Sequence, residues 1–240
     1  MMRLFFPPQS QESEWMDGDH YTLQDLEASL EGIRWVNRCL GGYAIILKNI
    51  QTLVQEYQQR KFSILDIATG SADIPIEIAL WARKMKLEVS ILAIDKNPNI
   101  VKIAQESTVD YPEIRVEVHD FFQFPYDDNS FDYCLSSLFL HHLKPVDAIP
   151  FLKRMYGLCR QAVFVNDLIR GWIPFYSYKA LASLFRLHPM TRHDGAISVL
   201  RAFRVPELER MIKLAFSSYE IKKYFPYRFG LTLKKSLSHE

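Results

Sequence analysis

Ile64-Leu65-Asp66-Ile67-Ala68-Thr69-Gly70-Ser71-Ala72-Asp73 is an apolar run that stops at small residues, after which Asp73-Ile74-Pro75 opens a new pattern. The order reads as a buried strand, a tight turn and a helix N-terminus, where a first-turn proline is tolerated. Small side chains let a ligand lie against the backbone, and the free amides of a helix start favour a negative group. Some twenty residues on, a second apolar run, Ile91-Leu92-Ala93-Ile94, ends in Asp95. An acid at the tip of the second strand of a doubly wound sheet is placed to accept hydrogen bonds from ribose hydroxyls. Together the two features predict a nucleoside-bearing cofactor.

That cofactor is not a dinucleotide. Gly70 is the only glycine between Asp66 and Asp95, and a pyrophosphate needs several close backbone approaches. A third run, Arg115-Val116-Glu117-Val118-His119-Asp120, ends in an acid followed by Phe121-Phe122. A fourth follows at Phe131-Asp132-Tyr133-Cys134-Leu135-Ser136-Ser137. Taken in order, these parts resemble the class I S-adenosylmethionine-dependent methyltransferases over roughly residues 60 to 170. The phrase from Leu65 to Ile74 looks especially like the ubiquinone/menaquinone C-methyltransferase branch.

The resemblance implies that the first loop, with Asp66, Ala68, Thr69, Gly70 and Asp73, holds the methionine part of S-adenosylmethionine. It implies ribose contacts at Asp95 and Lys96, adenine contacts at Asp120 and Phe121, and a further cofactor contact at Ser136. The product would be S-adenosylhomocysteine. Where that superfamily has three glycines, this chain has Ala68, Gly70 and Ala72. Alanine disfavours positive φ, so ordinary dihedrals are expected at both alanines.

The pattern from Lys61 onward alternates, with strands expected near 62–67, 89–94, 114–119, 131–136 and 162–167. Helices are expected near 73–86, 98–108 and 145–158. Alternation of this kind means right-handed crossovers and a parallel sheet. An aromatic helix is expected at 171–186 and another at 205–215, before two alternating runs around Gly230 that predict a closing antiparallel pair. The fold class is therefore a doubly wound, Rossmann-like α/β sheet of seven mostly parallel strands. Residues 1–60 form an N-terminal helical extension or lid, and 61–240 the methyltransferase domain with a substrate cap at 171–204. Within the extension, Thr22 and Asp25 read as a helix N-cap pair and Gly41-Gly42 as that helix's end.

Composition narrows the function classes. The chain has 240 residues, 48% of them apolar, and a net charge of +1, so one domain with a sizeable core fits and nucleic acid as a partner does not. Lys222, Lys223, Arg228, Lys234 and Lys235 are expected on the wet faces of terminal strands. Three widely spaced cysteines and no His/Cys spacing predict neither disulfide nor metal. No basic-then-apolar leader is evident at the N-terminus, and a cytoplasmic location is expected. Tyr176-Ser177-Tyr178-Lys179 lacks the four-residue spacing of a short-chain dehydrogenase, and neither G-x-S-x-G nor a P-loop is present. Ser136-Ser137-Leu138-Phe139 stands where base-modifying methyltransferases carry an Asn/Asp-Pro-Pro-aromatic tetrad and metal-dependent ones an acid.

The fourth strand runs into Leu138-Phe139-Leu140-His141-His142-Leu143 at the sheet edge where ligands bind. Either histidine is a candidate general base, His142 the favoured one, the ordinary pKa of histidine lying near neutral; the alternative is that one caps the following helix or contacts the cofactor without moving a proton. Met190-Thr191-Arg192-His193-Asp194-Gly195 reads as a polar cluster with an Asp-Gly turn. The stretch from Thr191 to Phe203, together with Ile33-Arg34-Trp35-Val36-Asn37-Arg38, resembles methyltransferases of type III polyketide pathways that methylate phenolic-lipid oxygens. That resemblance makes His193 another candidate base, puts Asn37 and Arg38 near the cofactor, and adds Arg192 to the substrate site. Trp172, Phe175 and Tyr176 are expected to cover a small aromatic or greasy substrate, in possible peripheral contact with a membrane.

Overall fold

The computed structural model describes residues 6–18 and 20–235. Seven strands form one sheet: β1 (Lys61–Ile67), β2 (Glu88–Asp95), β3 (Ile114–Val118), β4 (Phe131–Ser137), β5 (Cys159–Leu168), β6 (Tyr219–Tyr224) and β7 (Arg228–Lys234). Their spatial order is β3-β2-β1-β4-β5-β7-β6. The first five are parallel, while β7 runs antiparallel to both β5 and β6. The order reverses at β1, so ligands belong beyond the carboxyl ends of β1, β2 and β4.

Residue parity explains why β1 reads as a continuous apolar run. Leu65 and Ile67 point to one face, where they pack with Phe151, Leu152 and Met155 of α5 (Pro145–Leu158) and Leu208 and Ile212 of α8 (Val205–Ala215). Phe62 and Ile64 point to the other, against Ile46 and Ile50 of α2 (Gly42–Glu56) and Ile78 and Ala82 of α3 (Asp73–Met85). A strand covered on both faces needs apolar residues at both parities. Helix α4 (Pro98–Ser107) joins β2 to β3.

Three further pieces cover the carboxyl edge. Helix α1 (Leu23–Cys39) begins with the expected capping box, in which the Asp25 amide donates to Thr22 Oγ1 at 3.1 Å and the Thr22 amide to Asp25 Oδ2 at 2.9 Å. Gly41, at φ 69°, makes the corner into α2. The cap after β5 holds two helices, α6 (Trp172–Leu184) and α7 (Pro189–Arg201). The Asp194-Gly195 turn is thus corrected: both residues lie inside α7. Gly195 is needed there because a Cβ would fall 2.1 Å from the Tyr178 hydroxyl, which donates to the Thr191 carbonyl at 2.6 Å. Among the described residues, no helix is long and apolar enough to cross a membrane.

Candidate active site

The turn after β1 climbs through three left-handed residues: Ala68 (φ 57°), Gly70 (φ 58°) and Ala72 (φ 58°). The expectation of ordinary dihedrals at the two alanines is therefore corrected. The tight turn and the start of α3 impose the backbone, and each alanine bears a left-handed cost of about 1–2 kcal/mol. Ala72 is fully buried, so its methyl group returns part of that cost. Ala68→Gly relieves the strain at a cost of about 0.5–1 kcal/mol in chain entropy. It should raise stability by about 0.5–1 kcal/mol in urea melts; an unchanged or lower midpoint would remove the strain argument.

Around this turn the acids converge. Asp66 is 2% exposed and accepts from Thr69 Oγ1 at 2.7 Å. Burial, reinforced by the charges of Asp73 and Asp95, pushes its carboxyl up to about 8. Asp95 is raised by burial too, although it accepts from the Asn97 amide at 3.0 Å and the Gly70 amide at 3.3 Å. Asp120 caps the short turn Phe121–Gln123 by accepting from the Phe122 amide at 3.0 Å. Asp66, Asp73, Asp95 and Asp120 all line one cavity of about 550 Å³, within the range of small-molecule sites.

At its other end the cavity meets a histidine–carboxylate cluster. Asp167, at the end of β5, accepts from the His141 amide at 2.9 Å and lies 2.7 Å from His141 Nδ1. Glu14 Oε1 stands 3.4 Å from His141 Nε2, and Glu14 Oε2 3.6 Å from His142 Nε2. Asp17 Oδ2 is 3.1 Å from His142 Nδ1. Burial alone would lower the His141 pKa, but Asp167 and Glu14 hold it up at about 10. Arg201 Nη2 and Nε donate to the carbonyls of His142 and His141 at 2.8 and 3.3 Å, fixing the turn. Asp194 anchors the N-terminal segment by accepting from the Trp15 and Met16 amides at 2.7 and 3.0 Å.

Residues 64–162 match a family described as methyltransferase domain. Under half of the chain thus matches a methyltransferase domain. The chain is 36% identical over 131 residues to the ubiquinone/menaquinone biosynthesis C-methyltransferase UbiE of Rickettsia akari (strain Hartford), a stretch covering 50% of this chain and 53% of that one. The chain thus spans about half the length of the curated relatives it matches. A SAM-dependent methyltransferase from Aquifex aeolicus shares the fold at 15% identity with a TM-score of 0.53, over 77% of this chain and 88% of that one. So does magnesium protoporphyrin IX methyltransferase from Synechocystis PCC 6803, solved with bound SAH, at 12% identity and a TM-score of 0.54, over 82% and 84% of the two chains.

Ala68, Thr69, Gly70, Lys96, Phe121, Asn37 and His142 also line the cavity, but several other candidates do not. Helical periodicity explains most of these corrections. On α7 the cavity face is Thr191, Asp194, Gly195, Ser198 and Val199, a 3–4 repeat that leaves Arg192 and His193 off the stripe. Arg192 is exposed. His193 instead stacks on Trp15 at 4.0 Å and pairs with Asp194 (2.8 Å) and Glu12 (3.2 Å).

On α6 the inward residues are Pro174, Ser177, Tyr178 and Leu181. Trp172, Phe175 and Tyr176 fall on other faces, with Tyr176 largely exposed. Arg38 is exposed beside the inward Asn37. Ser136 is buried and donates to the Ile67 carbonyl at 3.0 Å, so its neighbour Ser137 takes the cavity position.

Sequence reasoning misplaced Arg228. It is 1% exposed at the cavity wall rather than on a wet strand face. Its Nη2 donates to Asn37 Oδ1 at 2.9 Å, while Nε and Nη1 have no partner. Asp73 Oδ2 is likewise buried and unpartnered, and it lies near enough to act on the Arg228 charge.

Proposed function

We propose that this protein methylates an oxygen of a small phenolic or quinone-like acceptor, using S-adenosylmethionine and leaving S-adenosylhomocysteine. One observation carries the reading. A continuous cavity joins the Asp66–Asp95–Asp120 edge to the His141–His142 cluster through walls that include Leu30, Ile33, Val36, Phe139, Leu181 and Val199.

The residues present fit the cofactor. Its amino-acid end carries an ammonium and a carboxylate on one carbon, and the unpartnered Asp73 Oδ2 and Arg228 nitrogens on the same cavity wall offer complementary charges. Asp95 offers carboxylate oxygens for ribose hydroxyls. When bound, S-adenosylmethionine supplies an electrophilic methyl group on a positively charged sulfur. The chain's own part is to align the acceptor and exclude water, which alone can supply several kcal/mol.

The acceptor hydroxyl must also lose a proton, since an ordinary phenol has a pKa of about 10. His141 already holds a proton at neutral pH and is not the acceptor of it. His142 is: it lines the cavity, with Nδ1 steadied by Asp17.

A second reading puts the methyl group on a ring carbon, because the relatives named above are C-methyltransferases. A phenolate is nucleophilic at oxygen and at ring carbon, so one base serves both. Donor labelled with ¹³C at the methyl group, incubated with alkylated phenols and quinols, decides between them. A methoxy carbon signal in the product supports the first reading and an aryl-methyl signal the second. No labelled product from any phenol or quinol overturns both.

A further inference from the structure

Glu14, His141 and His142 come from two distant stretches of sequence, yet one ligand atom of each lies within 4.8 Å of the other two. Ligand atoms bonded to one ion at about 2.0–2.2 Å stand about 3–3.6 Å apart at tetrahedral or octahedral angles. The Glu14 carboxylate lies between the two imidazoles, with Oε1 3.4 Å from His141 Nε2 and Oε2 3.6 Å from His142 Nε2, so small side-chain shifts bring one donor of each residue to that spacing.

The ring orientations point the same way. Each imidazole turns Nδ1 to a carboxylate, Asp167 for His141 at 2.7 Å and Asp17 for His142 at 3.1 Å. Each therefore directs Nε2 toward Glu14. A carboxylate on the far nitrogen is how proteins fix the tautomer and direction of metal-binding histidines. Ser198 Oγ donates to Glu14 Oε1 at 2.7 Å and steadies the third donor. Glu14 and His141 are 4% and 3% exposed, and all three residues border the cavity, which leaves the remaining coordination positions open to a ligand. Local spacing rules predict no metal, because they search for donors on one short stretch.

We propose that Glu14, His141 and His142 form a binding site for one divalent transition ion. Two imidazoles and one carboxylate suit zinc, cobalt, manganese or iron rather than calcium or magnesium. On His141 the ion takes the place of the Nε2 proton, and on His142 it takes the free Nε2 lone pair. Resting on the reading of His142 as base, the loaded protein then loses that base, so ion and acceptor proton compete for one lone pair.

The test begins with chelator-treated protein titrated with Co²⁺ and followed by visible absorption. Saturation at one equivalent, with the d–d bands of a four- or five-coordinate nitrogen/oxygen site that Zn²⁺ abolishes, is expected. Glu14→Gln and His142→Gln should each weaken Co²⁺ binding at least tenfold. Far-ultraviolet circular dichroism checks that both variants are folded. A wild-type spectrum that stays that of hexaaqua cobalt overturns the proposal without any variant, and so does equal binding by both folded variants. Because the readout is absorption, a Co²⁺ site in a protein that transfers no methyl group would support this inference while sinking the methylation reading.

Discussion

Replacing His142 with Ala is expected to slow methyl transfer to an alkylphenol by about two to four powers of ten, the usual worth of a positioned base. The loss should shrink with acceptors of lower pKa, because a phenol already ionised in solution needs no base. A plot of log rate against acceptor pKa should therefore slope more steeply for the variant than for the parent. A uniform loss across acceptors would instead mean that His142 positions the substrate. His193→Ala serves as the contrast. His193 packs on Trp15 outside the cavity, so its removal loosens the N-terminal segment without removing the base. The slope should stay that of the parent even if the overall rate falls. The reverse ranking of the two histidines would overturn the assignment.

The cofactor half of this site was legible because it is local. Asp66 lies one residue before the end of β1, Asp95 ends β2 and Asp120 follows the end of β3 by two residues, and a buried strand announces itself as an apolar run closed by a polar residue. The parallel order then sets those three ends side by side without any long-range contact being known.

The histidine–carboxylate half was not legible in that way. His141 and His142 stood out at the exit of β4, but their partners Glu14 and Asp17 lie far upstream on a polar stretch that offers no periodicity. Helix α7 hid for a local reason. Thr191, His193, Asp194 and Gly195 are weak helix formers, and it is contact with α6 and α1 that makes them helical: Tyr178 over Gly195, Thr191 against Gly32. Arg228 hid because strand alternation places a basic residue on the wet face by default. Here the first residue of β7 meets the cavity, and charge from Asp167 and Asp73 supports the cation.

Binding of S-adenosylmethionine at pH 7 is expected to release close to one proton, and Asp66 is its source. Burial, with Asp73 and Asp95 nearby, pushes this carboxyl up to about 8, so it is mostly protonated in the free protein. A cation entering the cavity beside it favours the ionised form and drives the proton off. Affinity should then rise up to tenfold per pH unit below about 8 and level off above that value. The same group links stability to pH with a definite sign. In the unfolded chain an aspartate titrates near about 3.9. Between that value and about 8 the native state holds a proton that the unfolded state has lost. Stability of the free protein from this group is thus greatest at low pH and falls as pH rises through the window, by at most about 1.4 kcal/mol per unit. Asp66→Asn keeps the shape and removes the titration, so it should flatten both dependences. Calorimetric titration in buffers of different ionisation enthalpy counts the protons directly. Asp95, also raised by burial, is the other candidate source. Release that persists in Asp66→Asn would move the assignment to Asp95, and no release in the parent protein would mean that Asp66 is ionised before the cofactor arrives.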